Sequence, residues 1–485
     1  MLFNSYIFIL LFLPLVLISF YTLKGRSRRA CEVVLVIFSL WFYGYFNLSY
    51  LWIMLFSIVM NYAVYLWIGR SGNRRIALAL GIVLNLGLLF YFKYFDFFID
   101  NCNAALKLDL PLKHIVLPLG ISFFTFQQIG FLTDTYRGKT ARTDFIDYAL
   151  FVSFFPQLVA GPIVEYEEMM PQFRQIGRRI TEQEFASSIF MFIMGLAKKV
   201  LIADTFGIAV DWAFDAVNYG INSTEALLAI VFYTLQLYFD FSGYCDMAIG
   251  LAGMLGIRLP VNFDSPYKAI HIIDFWKRWH ITLNRFFMKN IYIPLGGNRK
   301  GRARMYINLA VVFLLSGIWH GAGWNYILWG VMHGALYIIT RFALEHTGEW
   351  HRISKAVSRI FTFVFVAIAW TYFRAPDIAT GTEMLRTVLK FDFNAVAAPM
   401  YEAFNMGELW YVLKVTHLAS TAIGPIICML GFLIVSLLTV NLAPNSRSLS
   451  KKCRYGIPSA AVLAVLFVWC VISLSGVSTF LYFNF

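Results

Sequence analysis

The sequence predicts an all-α polytopic membrane protein, on three observations. Of its 485 residues, 59% are hydrophobic and 14% charged, where soluble globular chains are roughly 25% charged. Apolar runs recur along the whole chain, enough for about eleven or twelve spanning or re-entrant helices of ~20 residues. The net charge of +13 gathers in short loops between those runs, the pattern of cytoplasmic loops. The charge therefore reports topology and not a nucleic-acid partner.

Each element follows from local composition. Residues 1–21 are apolar, lack a basic leader and precede Lys24, Arg26, Arg28 and Arg29. That order predicts a first span entering from outside instead of a signal peptide. Segments 31–46 and 49–69 form a hairpin returning to the basic RSGNRR at 70–75. Segment 76–96 crosses outward to an external loop at 97–113, and 118–138 crosses back to RGKTAR at 137–142. Proline interrupts helical hydrogen bonding, and irregular backbone at membrane depth must be buried in protein or line a cavity. Pro156 and Gly161-Pro162 therefore predict a broken or re-entrant element at 151–163. The charged, amphipathic 165–180 is expected along the cytoplasmic interface, followed by spans at 186–203 and 224–256.

The stretch from Asp274 to Asn290 is too charged to span. Arg278, Thr282, Arg285 and Lys289 recur at helical spacing opposite Trp276, Leu283 and Phe287, so one interfacial helix with a basic face is expected. LGGNRKG at 295–301 reads as a cytoplasmic loop. The apolar run from Arg304 lifts His320 about 24 Å into a hydrocarbon core about 30 Å thick. Gly317, Gly321 and Gly323 permit a break or a close helix approach there. Segments 324–343 and 360–374 span, and 375–420 is an external excursion with short helices. Segments 422–442 and 457–475 are the last spans. The aromatic tail 475–485 lies outside or at the outer interface. No internal repeat or separable soluble domain is visible, so one domain over 1–485 is expected.

A titratable side chain at membrane depth is costly and marks function by default. Trp279-His280 and Trp319-His320 flank one span. An imidazole can take a hydroxyl proton near neutral pH, which is the general-base step of acyl transfer. His320 and His280 are thus the catalytic candidates. His333, Asp274 and Asn284 fall to a supporting polar network, and Asp240 and Asp246 to buried ion pairs or hydrogen bonds. Arg278, Arg285 and Lys289 offer a basic face to donor phosphates. The six cysteines are scattered. With no CxxC, HxxxH or HxH spacing, neither a disulfide framework nor a metal site is expected. No GxSxG elbow or P-loop occurs either.

FPQLVAGPI (155–163), FDFSGYCDMAIG (239–250), NFDSPY (262–267), DFWKRWHITL (274–283) and SGIWHGAGWNYILWGVMHG (316–334) follow one another in order. This ordered set resembles the membrane-bound O-acyltransferase family. More narrowly, it is similar to the bacterial branch that includes the alginate O-acetyltransferase membrane subunit and the teichoic-acid D-alanyl transfer protein. The resemblance covers a core of about 115–375. It implies a helical bundle in which a cytoplasmic tunnel meets an outer funnel, with the family's histidine on His320 and a supporting one on His280. It further implies acetyl-CoA as cytosolic donor, no tightly bound cofactor, and hydroxyls of an exported polysaccharide as acceptor. An extracytoplasmic partner of acetyltransferase or esterase fold, and a bacterial inner-membrane location among membrane lipids, go with that reading. Phe480-Leu481-Tyr482-Phe483-Asn484-Phe485 is similar to the aromatic tails of that branch. It suggests Tyr482 as an acyl relay, with an interfacial anchor as the plainer role. The rival class is a transporter or flippase that moves protons through intramembrane Asp and His. The missing inverted repeats and the WHG motif argue against it.

Overall fold

A computed structural model describes residues 1–70, 72–347, 354–405, 414–415, 421, 423–475 and 480–481. Among the described residues every regular element is helical, as the composition requires of a chain whose backbone polar groups must be satisfied without water. Among the described residues eight helices are long and apolar enough to cross a membrane, and Phe8–Leu23 and Ile457–Ile472 are shorter apolar helices.

A π-helical turn at Phe8–Phe12 leads into α1 (Leu13–Leu23). The basic stretch then gives Ser27, whose side chain caps α2 (Arg28–Gly44), and α2 with α3 (Leu48–Arg70) forms the expected hairpin. α4 (Arg74–Leu89), a π turn at Phe90–Tyr94 and α5 (Phe95–Leu106) run as one 33-residue span. The external loop expected at 97–113 is therefore corrected: helix persists to Leu106, with no glycine or proline to break it.

α6 (Ile121–Tyr136) is buried along most of its length despite its glutamines. Gln127 donates to the Phe151 carbonyl at 2.6 Å and Gln128 to Ser57 Oγ at 2.8 Å. The broken element is present as expected. α7 (Phe145–Ser153) stops before α8 (Phe155–Leu158), and residues 159–164 run irregularly and buried to α9 (Tyr166–Phe173).

α10 (Glu182–Ala197) starts at a Thr181–Glu184 capping box, passes through a π turn at Lys198–Ala203 and continues as α11 (Asp204–Ala216). It packs on α12 (Ser223–Met254). Their backbones approach so closely that a Cβ on Gly195 would lie 2.5 Å from the Gly243 carbonyl, the small-residue packing that membrane helices favour. α13 (Ile272–Arg278), α14 (Ile281–Phe287) and a π turn at Met288–Tyr292 replace the single interfacial helix expected over 274–290.

α15 (Arg302–His320) and α16 (Trp324–Thr347) form a hairpin. A Cβ on Gly330 would meet the Phe313 carbonyl at 2.6 Å. α17 (Lys355–Arg374) follows, and the predicted excursion holds the short α18 (Ile378–Leu389) and α19 (Ala398–Glu402). The described chain closes with α20 (Gly424–Leu442), α21 (Ser446–Lys452) and α22 (Ile457–Ile472). Two apolar cores result: one is built mainly on the helices up to α10 with the C-terminal part of α12 and α14, the other on α11, the N-terminal part of α12, α13 and α16–α20. Trp319 belongs to the first and Trp329 to the second. The predicted histidines lie where the cores meet.

Candidate active site

The site begins at the break between α13 and α14. Trp279 is extended and His280 adopts φ 46°, a left-handed backbone uncommon in residues other than glycine. Asn262 holds this turn. Its carbonyl accepts from Ile281 N–H at 3.1 Å. Its side-chain Oδ1 accepts from the backbone N–H and the hydroxyl of Thr282 at 3.2 and 3.0 Å. A backbone N–H can only donate, which fixes the amide orientation. His280 Nδ1, 3.2 Å from the same Oδ1, is therefore the protonated ring nitrogen, and Nε2 is the acceptor nitrogen. Asn284 braces the break from the far side, donating to the carbonyls of Trp276 at 2.6 Å and Trp279 at 2.8 Å.

His320 is the last residue of α15 and is 3% exposed, and His280 is wholly buried. Their rings lie 6.5 Å apart. Trp319 and Trp329 each approach the His320 ring to 4.9 Å, with Phe373 at 5.2 Å. The indole N–H groups of both tryptophans have no hydrogen-bond partner among the described residues. His333 stands one layer back: Trp276 Nε1–H donates to its Nδ1 at 3.2 Å, and Trp329 lies between it and His320, 4.9 Å from each ring.

The expected uninterrupted basic stripe is corrected, since the helix that would carry it breaks at His280. Each of its cations has a carboxylate partner. Arg278 pairs with Asp274 at 2.8 Å, and Arg285 with both oxygens of Glu168 and with Glu165. Lys289 pairs with Asp134 at 2.8 Å and Glu165 at 2.9 Å. Arg285 and Lys289 line a narrow cleft together with Gln127, Thr282 and Phe286. Thr282 is the residue that also holds Asn262. At Lys289 burial disfavours the charge, but the hydrogen bonds it donates to Asp134 and Glu165 outweigh it and raise the ammonium above its ordinary value.

Asp240 and Asp246 are ion-paired, with Lys199 and Lys198 respectively, both at 2.6 Å. Phe241, next to Asp240 on α12, lies 4.9 Å from the His280 imidazole. Asp240 also accepts from Leu481 N–H at 3.1 Å. Tyr482 itself lies outside the described residues.

Sequence reasoning missed Asn262, Lys93, Lys198 and Lys199. The lysines had a signal: each is a lone or paired cation in an otherwise apolar run, FYFKYF and GLAKKVLI. Asn262 had none beyond its place in NFDSPY, because its role depends on contacts with residues about twenty positions away.

Residues 37–375 match the model of the membrane-bound O-acyltransferase family. The chain is 42% identical over 418 residues to the peptidoglycan O-acetyltransferase of Helicobacter pylori, covering 80% of this chain and 79% of that protein. It is 40% identical over 400 residues to the probable alginate O-acetylase AlgI of Pseudomonas aeruginosa, covering 81% and 75%. With the teichoic acid D-alanyltransferase of Bacillus subtilis it shares 25% identity over 279 residues, 54% of this chain and 70% of that one.

Proposed function

Because the chain belongs to the membrane-bound O-acyltransferase family, we propose that this multi-pass membrane acyltransferase moves an acetyl group from cytosolic acetyl-CoA towards hydroxyls of an exported polysaccharide. The observation that carries the reading is the placement of His280 and His320, 6.5 Å apart, with His280 joined through Asn262 to Thr282, which lines a cleft shared with Arg285 and Lys289. The named activities of the relatives, O-acetylation of peptidoglycan and alginate, support acetyl and a glycan.

In this mechanism the His320 imidazole takes the proton of the acceptor hydroxyl as its oxygen bonds to the thioester carbonyl carbon. The carbon–sulfur bond then breaks, and the imidazolium returns its proton to the leaving thiolate. The products are an ester and a free thiol. The Trp319 and Trp329 indole N–H groups supply donors beside the reacting ring, the kind of fixed dipole that stabilises a developing oxyanion. His280, locked in one tautomer by Asn262, orients the site. Arg278, Arg285 and Lys289 take the donor phosphates, exchanging carboxylate partners for phosphate oxygens. The intramembrane Asp residues need no transport role, since each is matched to a lysine.

The acetyl group leaves on the extracytoplasmic side of a bacterial inner membrane. It passes to the polymer directly or through a partner of acetyltransferase or esterase fold. Tyr482 is the proposed transient acceptor on that path. Inverted vesicles supplied with radiolabelled acetyl-CoA on the cytoplasmic face test the donor and the direction together. Label is expected in luminal glycan or partner protein, and its confinement to the donor side overturns the reading.

A further inference from the structure

We propose that Lys93 is a positioning residue for the reaction, capping from a separate span the helix that carries His320. This inference rests on the assignment of His320 as the base. The last four carbonyls of an α-helix have no partner within it, and in a bilayer no bulk water replaces one. α15 ends at His320 because Gly321 turns to an extended backbone. The resulting carbonyls are met from the π turn at Phe90–Tyr94. Lys93 Nζ donates to Trp319 O at 2.7 Å and to His320 O at 3.0 Å. Tyr94 OH donates to Ile318 O at 2.8 Å. In a regular helix adjacent side chains diverge by about 100°, whereas this π turn brings two consecutive residues onto one neighbour. π turns of this kind recur at functional sites.

The ammonium has three N–H donors, and its third acceptor is Ser122 Oγ at 3.4 Å, at the start of α6. Lys93 therefore has no donor left for a substrate, and it acts through the backbone of the base. When protonated, the amine also faces the negative end of the α15 dipole. Lys93 thus ties α6 and the 74–106 span to the carbonyl of His320 itself, and fixes where the imidazole stands relative to His280.

The test compares wild type, Lys93→Met, Lys93→Arg and His320→Ala in vesicles with labelled acetyl-CoA, each shown monodisperse after extraction. Lys93→Met is expected to lower kcat by about 100-fold, the cost of a misplacement near 1 Å. KM for acetyl-CoA should stay unchanged, as expected for an interaction expressed in the transition state. Lys93→Arg, which keeps donors, should restore most of kcat. A Lys93→Met protein that is folded and has wild-type kcat, or that loses only KM, overturns the proposal. Should Lys93→Met not fold, Lys93→Gln takes its place under the same criteria. Wild-type turnover by His320→Ala defeats the base assignment and this proposal with it. Loss of turnover in His320→Ala with normal Lys93→Met defeats the Lys93 role alone.

Discussion

At the residue scale, the site depends on side chains that fix other side chains. Asn262 sets the tautomer of His280 and holds its left-handed backbone through Thr282 and Ile281. Asn262→Ala should lower kcat by about 100-fold while leaving the amount of folded protein unchanged, as judged by size exclusion. His271 offers a pH readout. Its Nδ1 accepts from Asp274 N–H at 3.0 Å and caps α13. Burial pushes the imidazole below its ordinary value; Asp274 opposes this and Lys277 adds to it. A depressed folded value means that the cap contributes fully above the unfolded pKa of about 6.5. That contribution is lost as pH falls through the folded value. Thermal stability should thus decline below about pH 6.5, and His271→Asn, a cap that does not titrate, should flatten that part of the profile. The two Trp-His pairs were legible because a histidine in an apolar chain is conspicuous. Asn262 was not, because one polar residue in a loop says nothing of which distant backbone it will hold.

At the scale of elements, periodicity located nearly every helix but not its irregularities. The stripe of Arg278, Thr282, Arg285 and Lys289 is real as spacing, yet the helix breaks inside it at His280. The bonds that Asn262 and Asn284 make around His280 outweigh local helical preference there. The π turns at 90–94, 198–203 and 288–292 were equally invisible, and they carry Lys93, Lys198-Lys199 and Lys289 to their partners. The pairing of Lys199 with Asp240 makes a stability prediction. Asp240→Leu leaves a buried ammonium with Asp204 as its remaining carboxylate, 2.8 Å away, and should cost about 3 kcal/mol. The double variant with Lys199→Met should recover much of this loss in thermal melts. Gly330→Val forces a side chain onto the Phe313 carbonyl and should destabilise the α15–α16 hairpin by about 1–3 kcal/mol.

At the scale of the whole molecule, composition and the alternation of apolar runs with basic loops were enough to read an all-helical membrane protein. The meeting of two cores around His280 and His320 was not readable. It depends on which faces of helices hundreds of residues apart pack together, and no local pattern encodes that. The helix that ends at His320 was readable, since an apolar run leads into the glycines after it. The tail reading is testable without further geometry: Tyr482→Phe keeps the aromatic anchor, and loss of polymer acetylation with donor cleavage retained is the expected outcome. The central claim is that His320 is the base of a transfer from acetyl-CoA. The most direct measurement is single-turnover acetyl transfer from labelled acetyl-CoA by purified, reconstituted wild type and His320→Ala, with equal melting temperatures established first. The expected result is a loss of about 10²–10⁴-fold in the transfer rate, with donor binding retained. Transfer by folded His320→Ala at the wild-type rate would contradict it.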